Sequence, residues 1–236
     1  MHYAPRQDPC PLPFSPFKSC TVPRPIGWLS TISVDGVPNL APYSQWQNLS
    51  FDPPLVMFAA NQLSNGKRKH TVLNAEETGW FVWNMATYDL RDAVNLSAVE
   101  WPADEDEFAR AGVTPVAAID APCPRVKESP AHFECRYLST HRLRGHSNHG
   151  WVDVVYGEVE RIHVADDVIM PEGKMDIVKI RPLARLGYYD YTSVTDVFEM
   201  RIPGHRARRR LGSRGKLVKR IDRSIIEPVY NCVCLR

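Results

Sequence analysis

The chain has 236 residues, of which 44% are apolar and 24% are charged, and its formal net charge is +2. This length supports one large domain or two small ones with a sufficient core, and the composition excludes wholesale disorder. The sequence contains no apolar run of the roughly 18 residues that a membrane-spanning helix needs, and its N-terminus lacks the basic and then apolar pattern of a secretory signal.

The charge is distributed unevenly along the chain. Residues 204–236 contain ten basic and two acidic residues, a net charge of +8, which leaves 19 basic and 25 acidic residues, a net charge of −6, in residues 1–203. Residues 1–203 contain no internal repeat and no linker-like stretch. The sequence therefore predicts one domain over residues 1–203 and a basic, largely disordered tail over residues 204–236.

Six cysteines are spread over the chain. None forms a CxxC pair, and their spacing fits no zinc ribbon. We therefore expect reduced thiols in a cytoplasmic protein, and no bound metal. The six are Cys10, Cys20, Cys123, Cys135, Cys232 and Cys234.

The first 25 residues are rich in proline, and short strand-like runs follow them. Because proline removes backbone donors and resists helix formation, we predict an ordered arm that lies over the body. Asp35-Gly36 predicts a type I′ turn, and Asp52-Pro53-Pro54 predicts a stiff corner. The predicted strands lie at residues 26–33, at residues 39–50 with a break near Pro42, and, as a fully buried strand, at residues 55–60.

Helices and longer strands follow in the rest of the chain. Thr71 is a predicted N-cap, and Gly79 a predicted C-terminal cap, of a helix over residues 71–78. A change of phase near Gly157 predicts a bulge. Further helices are predicted at residues 88–99 and 104–111, and further strands at 80–85, 131–143, 151–164 and within 182–194. Without βαβ alternation, this pattern favours a mainly β fold with flanking helices, an antiparallel β-barrel.

Several common active-site motifs are absent from the sequence. The chain has no GxGxxG and no GxxxxGK, so neither a Rossmann dinucleotide site nor a P-loop is supported. It also has no HExxH, GxSxG or CxxCH motif. The acidic run at residues 104–107 is interpreted as a solvated helix start and not as catalytic machinery.

The most informative stretch is residues 23–78. It places small hydroxyl and amide residues beside aromatic ones, a combination that suits a planar heteroaromatic ligand with polar edges. Pro42 interrupts regular pairing, which leaves neighbouring backbone donors free for a ring edge. The polar residues are Ser30, Thr31, Asn39, Ser44 and Asn48, and the aromatic ones are Trp28, Tyr43 and Trp46.

Three consecutive basic residues, Lys67, Arg68 and Lys69, precede the helix predicted to begin at Thr71. A cationic cluster at a helix N-terminus favours an anion, most naturally a phosphate. One contiguous segment can thus serve the ring, the polyol and the phosphate of a phosphorylated planar cofactor. The alternative is that the polar residues face solvent and the basic residues are ordinary solvated surface.

Four segments together resemble a known family. PRPIGWLST, DGVPNLAPYS, DPPLVMF and KRKHTVLNAEETGWFVWN are similar to motifs of the flavin reductase-like family, which includes flavoredoxin-like proteins. VVYGEVERIHVADD and PLARLGYYDYTSV resemble the closing strands of that family, so the resemblance extends over about residues 10–200. It implies an antiparallel FMN-binding split β-barrel, a homodimer, and a groove for FMN at the dimer interface.

The resemblance also implies roles for individual residues. One group would line the flavin groove or its edge, a second would follow the isoalloxazine ring, and a third would hold the ribityl chain or the phosphate. These are Arg24, Ser30 and Thr31 for the groove, Ala41, Pro42, Tyr43 and Ser44 for the ring, and Asn48, Lys69 and Thr71 for the ribityl chain and phosphate. His70 stands where the family commonly has Asp, which makes the local charge more positive.

The implied function is that of an FMN-dependent oxidoreductase that passes hydride from NADH or NADPH to FMN, with an oxygenase or another acceptor as the partner. An electron-transfer flavoprotein that keeps FMN bound is the alternative. A nucleic-acid-binding module acting through the basic tail is a third hypothesis, which the acidic body opposes.

His149 lies in a polar loop with His141 and His146. A loop histidine without a catalytic role is the preferred interpretation, and a role for His149 near the nicotinamide or the flavin edge is the alternative.

Overall fold

A seven-stranded antiparallel sheet organises the chain in the computed structural model, which describes residues 1–147 and 150–200. The elements up to residue 111 are α1 (Phe17–Cys20), β1 (Arg24–Pro25), β2 (Gly27–Ile32), β3 (Pro38–Tyr43), β4 (Trp46–Phe51), β5 (Pro54–Asn61), α2 (His70–Thr78), β6 (Trp80–Met85), α3 (Arg91–Leu96) and α4 (Glu107–Ala111). The later elements are β7 (Pro115–Val116), β8 (Arg125–Val126), β9 (Ala131–Leu143), β10 (Val152–Val164), a 3₁₀ turn (Asp166–Val168), α5 (Ile177–Ile180), β11 (Leu183–Gly187) and β12 (Asp190–Ser193). The predicted mainly β fold with flanking helices is confirmed.

The main sheet has the strand order β3-β2-β6-β9-β10-β5-β4, so its two edge strands are consecutive in the chain. The two edges also approach each other in space. The ring of Tyr43 on β3 lies 5.2 Å from that of Phe58 on β5, and the N–H of Ala59 donates to the carbonyl of Gln45 at 2.9 Å. The sheet therefore curls until its edges meet near residues 43–46. Strands β1, β11 and β12 form a second sheet.

Two apolar clusters hold this architecture together. Inside the curled sheet, Phe58 and Phe81 are fully buried, and Trp46 stacks on Trp83 with ring centroids 5.8 Å apart. Burial of one such side chain contributes about 1.5–3 kcal/mol. The second cluster packs α3 and α4 against β2 and β3, and it includes Trp28, Leu40, Val94 and Phe108. These helices consequently cover the outer edge of β3.

Several sequence predictions are confirmed. Strand β9 has the predicted bounds, and β10 begins one residue later than predicted. The pairing of β9 and β10 shifts register between Tyr156 and Gly157, which is the predicted bulge. A Cβ atom on Gly157 would lie 2.5 Å from the ring of the buried Phe81, so this position requires glycine.

Other predictions are wrong in detail. Gly36 has a φ of 84°, but Asp35 does not have a positive φ, so the hairpin turn cannot be type I′. The predicted break near Pro42 occurs two residues later, at Ser44-Gln45 between β3 and β4, and Pro42 itself still pairs opposite Trp28. Strand β5 is not fully buried, because its buried and more exposed residues alternate along its length, as expected for a strand with one face on the core.

The helix predictions also need correction at their ends. Helix α2 begins at His70 with Lys69 at the N-cap position, so Thr71 lies inside the helix, whereas Gly79 ends it in the left-handed conformation as predicted. The helices predicted at residues 88–99 and 104–111 are shorter, as α3 and α4. The short helix α5 has no counterpart among the predicted elements.

The N-terminal arm is joined to the body where β1 pairs with β11. Met1–Val197 form one compact unit, and the described residues 198–200 belong to a second unit. The predicted tail over residues 204–236 lies outside the described residues, and the domain boundary at residue 203 stays a prediction. Within the described part of the chain, no helix is long and apolar enough to span a membrane.

Candidate functional site

Two cavities adjoin the end of β3: residues 41–43 line one of them, and residues 44–47 line the other. The first, here called the lysine pocket, has a volume of about 90 Å³, and its lining includes Lys69. The second, the arm groove, is an open groove of about 580 Å³. The lysine pocket is lined by Asn39, Ala41, Pro42, Tyr43, Leu63, Lys69, His70, Thr71, Ser97, Ala98, Val99, Glu100, Trp101 and Glu107. The arm groove is lined by Cys20, Thr21, Val22, Pro23, Arg24, Pro25, Ser44, Gln45, Trp46, Gln47 and Met57.

The backbone N–H groups along the outer edge of β3 differ in whether they have a hydrogen-bond partner. Leu40 donates its N–H to a carboxylate oxygen of Glu107 at 2.6 Å. Alternate residues of an antiparallel strand present their N–H groups to the same side, and the next such position is Pro42, which has none. Two residues further, the N–H of Ser44 forms no hydrogen bond within residues 1–147 and 150–200. Ser44 therefore offers a backbone donor beside the arm groove.

A buried polar network fixes Thr71 at one wall of the lysine pocket. The Thr71 hydroxyl donates to the side-chain oxygen of Asn39 at 2.7 Å, and the Thr31 hydroxyl donates to the same oxygen at 3.2 Å. Asn74 donates to Thr31 at 3.1 Å. Burial raises the pKa of Tyr43, and the hydrogen bond with Thr71 opposes this only in part, so the phenol stays neutral. The wall is therefore rigid and uncharged.

The three predicted cations separate in the structure. Arg68 pairs with Glu76 at 2.6 Å and with Asp153 at 2.9 Å, so it supports the sheet and does not line the lysine pocket. Lys67 is exposed. Lys69 lines the pocket, and its ammonium group donates to Glu100 at 2.8 Å, which lowers the pKa of Glu100.

The lysine pocket also contains groups that sequence reasoning missed. Burial raises the pKa of Glu107 to about 7, because desolvation outweighs its hydrogen bond with Leu40. Trp101 also lines the pocket, and its indole N–H is buried without a hydrogen-bond partner among the described residues. Interpretation of residues 104–107 as a solvated helix start is wrong for Glu107. The sequence pattern that indicates burial of Glu107 is its helical spacing with Phe108 and Ala111, since all three share the buried face of α4.

The structure brings together only part of the predicted set. Ala41, Pro42, Tyr43, Lys69 and Thr71 line the lysine pocket, and Arg24 and Ser44 line the arm groove. The prediction that residues 41–44 follow the ring together is therefore corrected, because only Ser44 lines the arm groove, whereas residues 41–43 share a pocket with Lys69.

The remaining predicted residues lie away from both cavities. Ser30 is fully buried, where it donates to the carbonyl of Pro124 at 2.6 Å and accepts from Asn84 at 3.1 Å. Thr31 is also fully buried, in the network around Asn39. The prediction that these two residues line a groove is therefore corrected, because their hydroxyl groups support the sheet. Asn48 is exposed on the edge strand β4, and it lines neither cavity.

The histidines contribute less than the sequence allowed. Burial, followed by the charges of Lys69 and Lys67, lowers the pKa of His70, so this side chain adds no positive charge at neutral pH. His149 lies outside the described residues. No group of three or more potential ligands that could hold a metal ion occurs in the described part of the chain.

Comparisons with known proteins agree with this architecture. Residues 19–190 match the family model described as "Flavin reductase like domain". An uncharacterized protein of Aquifex aeolicus is 34% identical over 173 residues, which cover 71% of this chain and 84% of that protein. The crystal structure of nitrilotriacetate monooxygenase component B from Bacillus cereus has a TM-score of 0.77 and 28% identity, and the match covers 85% of this chain and 98% of that one.

A protein with a split barrel domain from Shewanella frigidimarina shows the same fold. Its TM-score is 0.68 at 22% identity, with 79% of this chain and 89% of that chain covered. The curled antiparallel sheet is therefore a split barrel.

Proposed function

The chain belongs to the flavin reductase-like family, and from this premise we propose that it is an FMN-dependent oxidoreductase that takes hydride from NADH or NADPH. The observation that carries the proposal is the position of residues 41–47 between the lysine pocket and the arm groove. A ligand with a planar ring at one end and a phosphate at the other can follow this segment. The sequence motifs and the three-dimensional arrangement thus support one elongated site.

The arm groove suits the ring end of such a ligand. Its walls include the flat indole of Trp46 and the thioether of Met57. Two donors there lack partners within the described residues: the Ser44 N–H and the buried Nε of Arg24. The Nη1 group of Arg24 donates to the carbonyls of Lys18 at 2.5 Å and Thr21 at 2.8 Å. Ring nitrogens and carbonyl oxygens of an isoalloxazine are acceptors for such donors. In this proposal Ser44 and Arg24 orient the ring by its edge.

The lysine pocket suits the phosphate end. Lys69 supplies a positive charge at the start of α2, and Trp101 supplies an unpartnered N–H. A phosphate oxygen would satisfy both donors, once Glu100 has moved away from Lys69 and the pocket has opened at the buried indole N–H of Trp101. Tyr43 and Thr71 form the neutral wall and keep the pocket in shape.

FMN, when bound, would supply the hydride chemistry, and the residues of this chain would position it. No nucleophile from the protein is required. The open form of the arm groove leaves room above the ring for a nicotinamide. The family resemblance supports a homodimer, and similarity to a monooxygenase component B supports an oxygenase as the acceptor of reduced flavin.

The experiment is steady oxidation of NADH and of NADPH by the purified protein with added FMN, followed by the loss of nicotinamide absorbance. We expect one nucleotide to be oxidised in proportion to enzyme concentration. If neither is oxidised while bound FMN is still reduced by dithionite, the reductase proposal fails and an electron-transfer flavoprotein remains. If FMN does not bind at all, the flavin site itself is wrong.

A further inference from the structure

Glu107 is a buried carboxylic acid in the wall of the lysine pocket. It is only 5% exposed, and its carboxylate accepts the N–H of Leu40 at 2.6 Å. Asp106, one residue earlier, already caps α4 by accepting the N–H groups of Phe108 and Ala109. Glu107 is therefore not needed to cap its own helix, and its carboxyl group is directed at the edge of β3.

The two acidic residues of the pocket, Glu100 and Glu107, differ in how freely their side chains can move. Glu100 is exposed to solvent over 40% of its side chain and is held by the surface residues Lys69 and Ser64, so it can swing out into water. Glu107 is fixed on the buried face of α4 and is bonded to the backbone of β3. An anion that enters the pocket can displace Glu100, but it can avoid the negative charge of Glu107 only if that group takes up a proton.

The charged surroundings of Glu107 come from four parts of the fold. Lys69 and His70 face the pocket from the start of α2, Tyr43 from β3, and Glu100 from the segment after α3. On α4 and its N-cap, Asp106 is a charged neighbour of Glu107, and Arg110 lies over the ring of Trp101, which lines the same pocket.

Helix α3 also packs on α4, but it meets it through the apolar cluster that contains Val94. The charged residues of α3, Arg91 and Asp92, line a different cavity. Lys69 favours ionisation of Glu107, Asp106 opposes it, and desolvation is the dominant effect. The result is a carboxyl group that changes charge near neutral pH.

We propose that protonation of Glu107 controls how tightly the lysine pocket binds the phosphate of FMN. Neutral Glu107 leaves Lys69 as the dominant charge, whereas ionised Glu107 repels the phosphate. Glu107 is then a positioning residue whose charge sets affinity, and it takes no part in hydride transfer. This inference rests on the proposed function.

The test is the dissociation constant of FMN, measured by quenching of flavin fluorescence from about pH 5.5 to about pH 8.5, for wild type and Glu107→Gln. Gln keeps an acceptor for Leu40 and removes the titration. Because FMN phosphate titrates with a pKa near 6, the informative quantity is the ratio of the two constants at each pH. We expect wild-type affinity to fall about tenfold relative to Glu107→Gln over this range, as for two charges several ångströms apart in a partly buried site.

Two controls separate charge at this position from general effects. Asp104→Asn removes an exposed carboxylate three residues away, and it should follow wild type at every pH. Riboflavin, which lacks the phosphate, should give a constant ratio between wild type and Glu107→Gln. A constant ratio for FMN would overturn the inference.

A second measurement needs no variant, in case Glu107→Gln does not fold. Calorimetry of wild type at about pH 8, in buffers of different ionisation enthalpy, gives the protons exchanged on binding. FMN should be bound with net proton uptake, and riboflavin without it; absence of uptake with FMN contradicts the inference. Failure of wild type to bind FMN at all would instead reject the proposed function, so the two failures are distinguishable.

Discussion

The ammonium group of Lys69 lies 2.8 Å from one carboxylate oxygen of Glu100. The other oxygen of Glu100 accepts the hydroxyl of Ser64 at 2.9 Å and its N–H at 3.4 Å. Three donors therefore converge on one carboxylate at the mouth of the lysine pocket. A phosphate takes the same kinds of donor, so we interpret Glu100 as an internal anion in the place that the cofactor phosphate would take.

Replacement of Lys69 by alanine should weaken FMN binding by roughly tenfold or more, because a hydrogen bond to a charged group contributes about 1.5–3 kcal/mol. The measurement is the dissociation constant of FMN at constant ionic strength. Lys67→Ala removes an exposed charge two residues away and should change affinity by less than about twofold, in line with the small effect of solvated charges. Equal losses in both variants would show that only general electrostatic attraction is involved.

Replacement of Glu100 by glutamine should tighten FMN binding several-fold, because the phosphate then competes with a weaker, neutral partner for Lys69. Glu77→Gln, on the exposed side of α2, makes the same change in net charge and serves as the control. Weaker binding by Glu100→Gln alone would mean that Glu100 orients Lys69 toward the ligand and does not compete with it.

Replacement of Trp101 by phenylalanine should weaken FMN binding by about threefold to tenfold, because it removes one N–H and little of the aromatic surface. The indole N–H of Trp101 is buried and unpartnered among the described residues, so its loss costs nothing in the free protein. Thermal stability should therefore be unchanged or slightly raised. An unchanged dissociation constant would remove Trp101 from the phosphate site.

Much of the candidate site could be predicted because its residues are close together in the chain. Ala41, Tyr43, Lys69 and Thr71 belong to motifs in one stretch, and the structure places them around one pocket. The facing wall comes from residues 97–101 and from Glu107, which lie 26 to 36 residues after Thr71 in the chain. No spacing rule links α4 to the edge of β3, so sequence reasoning missed this wall.

In the fold, too, features set by neighbouring residues could be predicted, whereas contacts between residues far apart in the chain could not. The bounds of β9 follow from its local pattern, and the bulge at Gly157 follows from a change of phase. By contrast, the hydroxyl of Ser30 looked suited to a ligand, yet its partner is the carbonyl of Pro124, far away in the chain. Whether a small polar residue faces a ligand or the core depends on strands that pair later.

The carboxylate of Glu134 on β9 should dominate the acid sensitivity of the fold. It is fully buried and accepts the N–H groups of Ile119, Asp120 and Ala121 at 2.7–2.9 Å, with His163 2.5 Å away. Burial alone would raise the pKa of Glu134, but these bonds outweigh it and bring the pKa to about 2. The loop that contains residues 119–121 is thereby fastened to the sheet.

A folded-state pKa of about 2 lies below the ordinary value of 4.5, so the stabilisation by Glu134 is present above about pH 4.5 and is lost as the pH falls toward 2. Glu134→Gln should lower the free energy of unfolding by about 2–4 kcal/mol at pH 7, and this difference should shrink toward zero as the pH approaches 2. Urea denaturation at a series of pH values measures both quantities. Glu160→Gln, on the exposed face of β10 where Glu160 pairs with Arg136, should cost less than about 1 kcal/mol at every pH. A pH-independent loss in Glu134→Gln would mean that the side chain contributes by packing, because only a contribution from its charge disappears when the carboxylate is protonated.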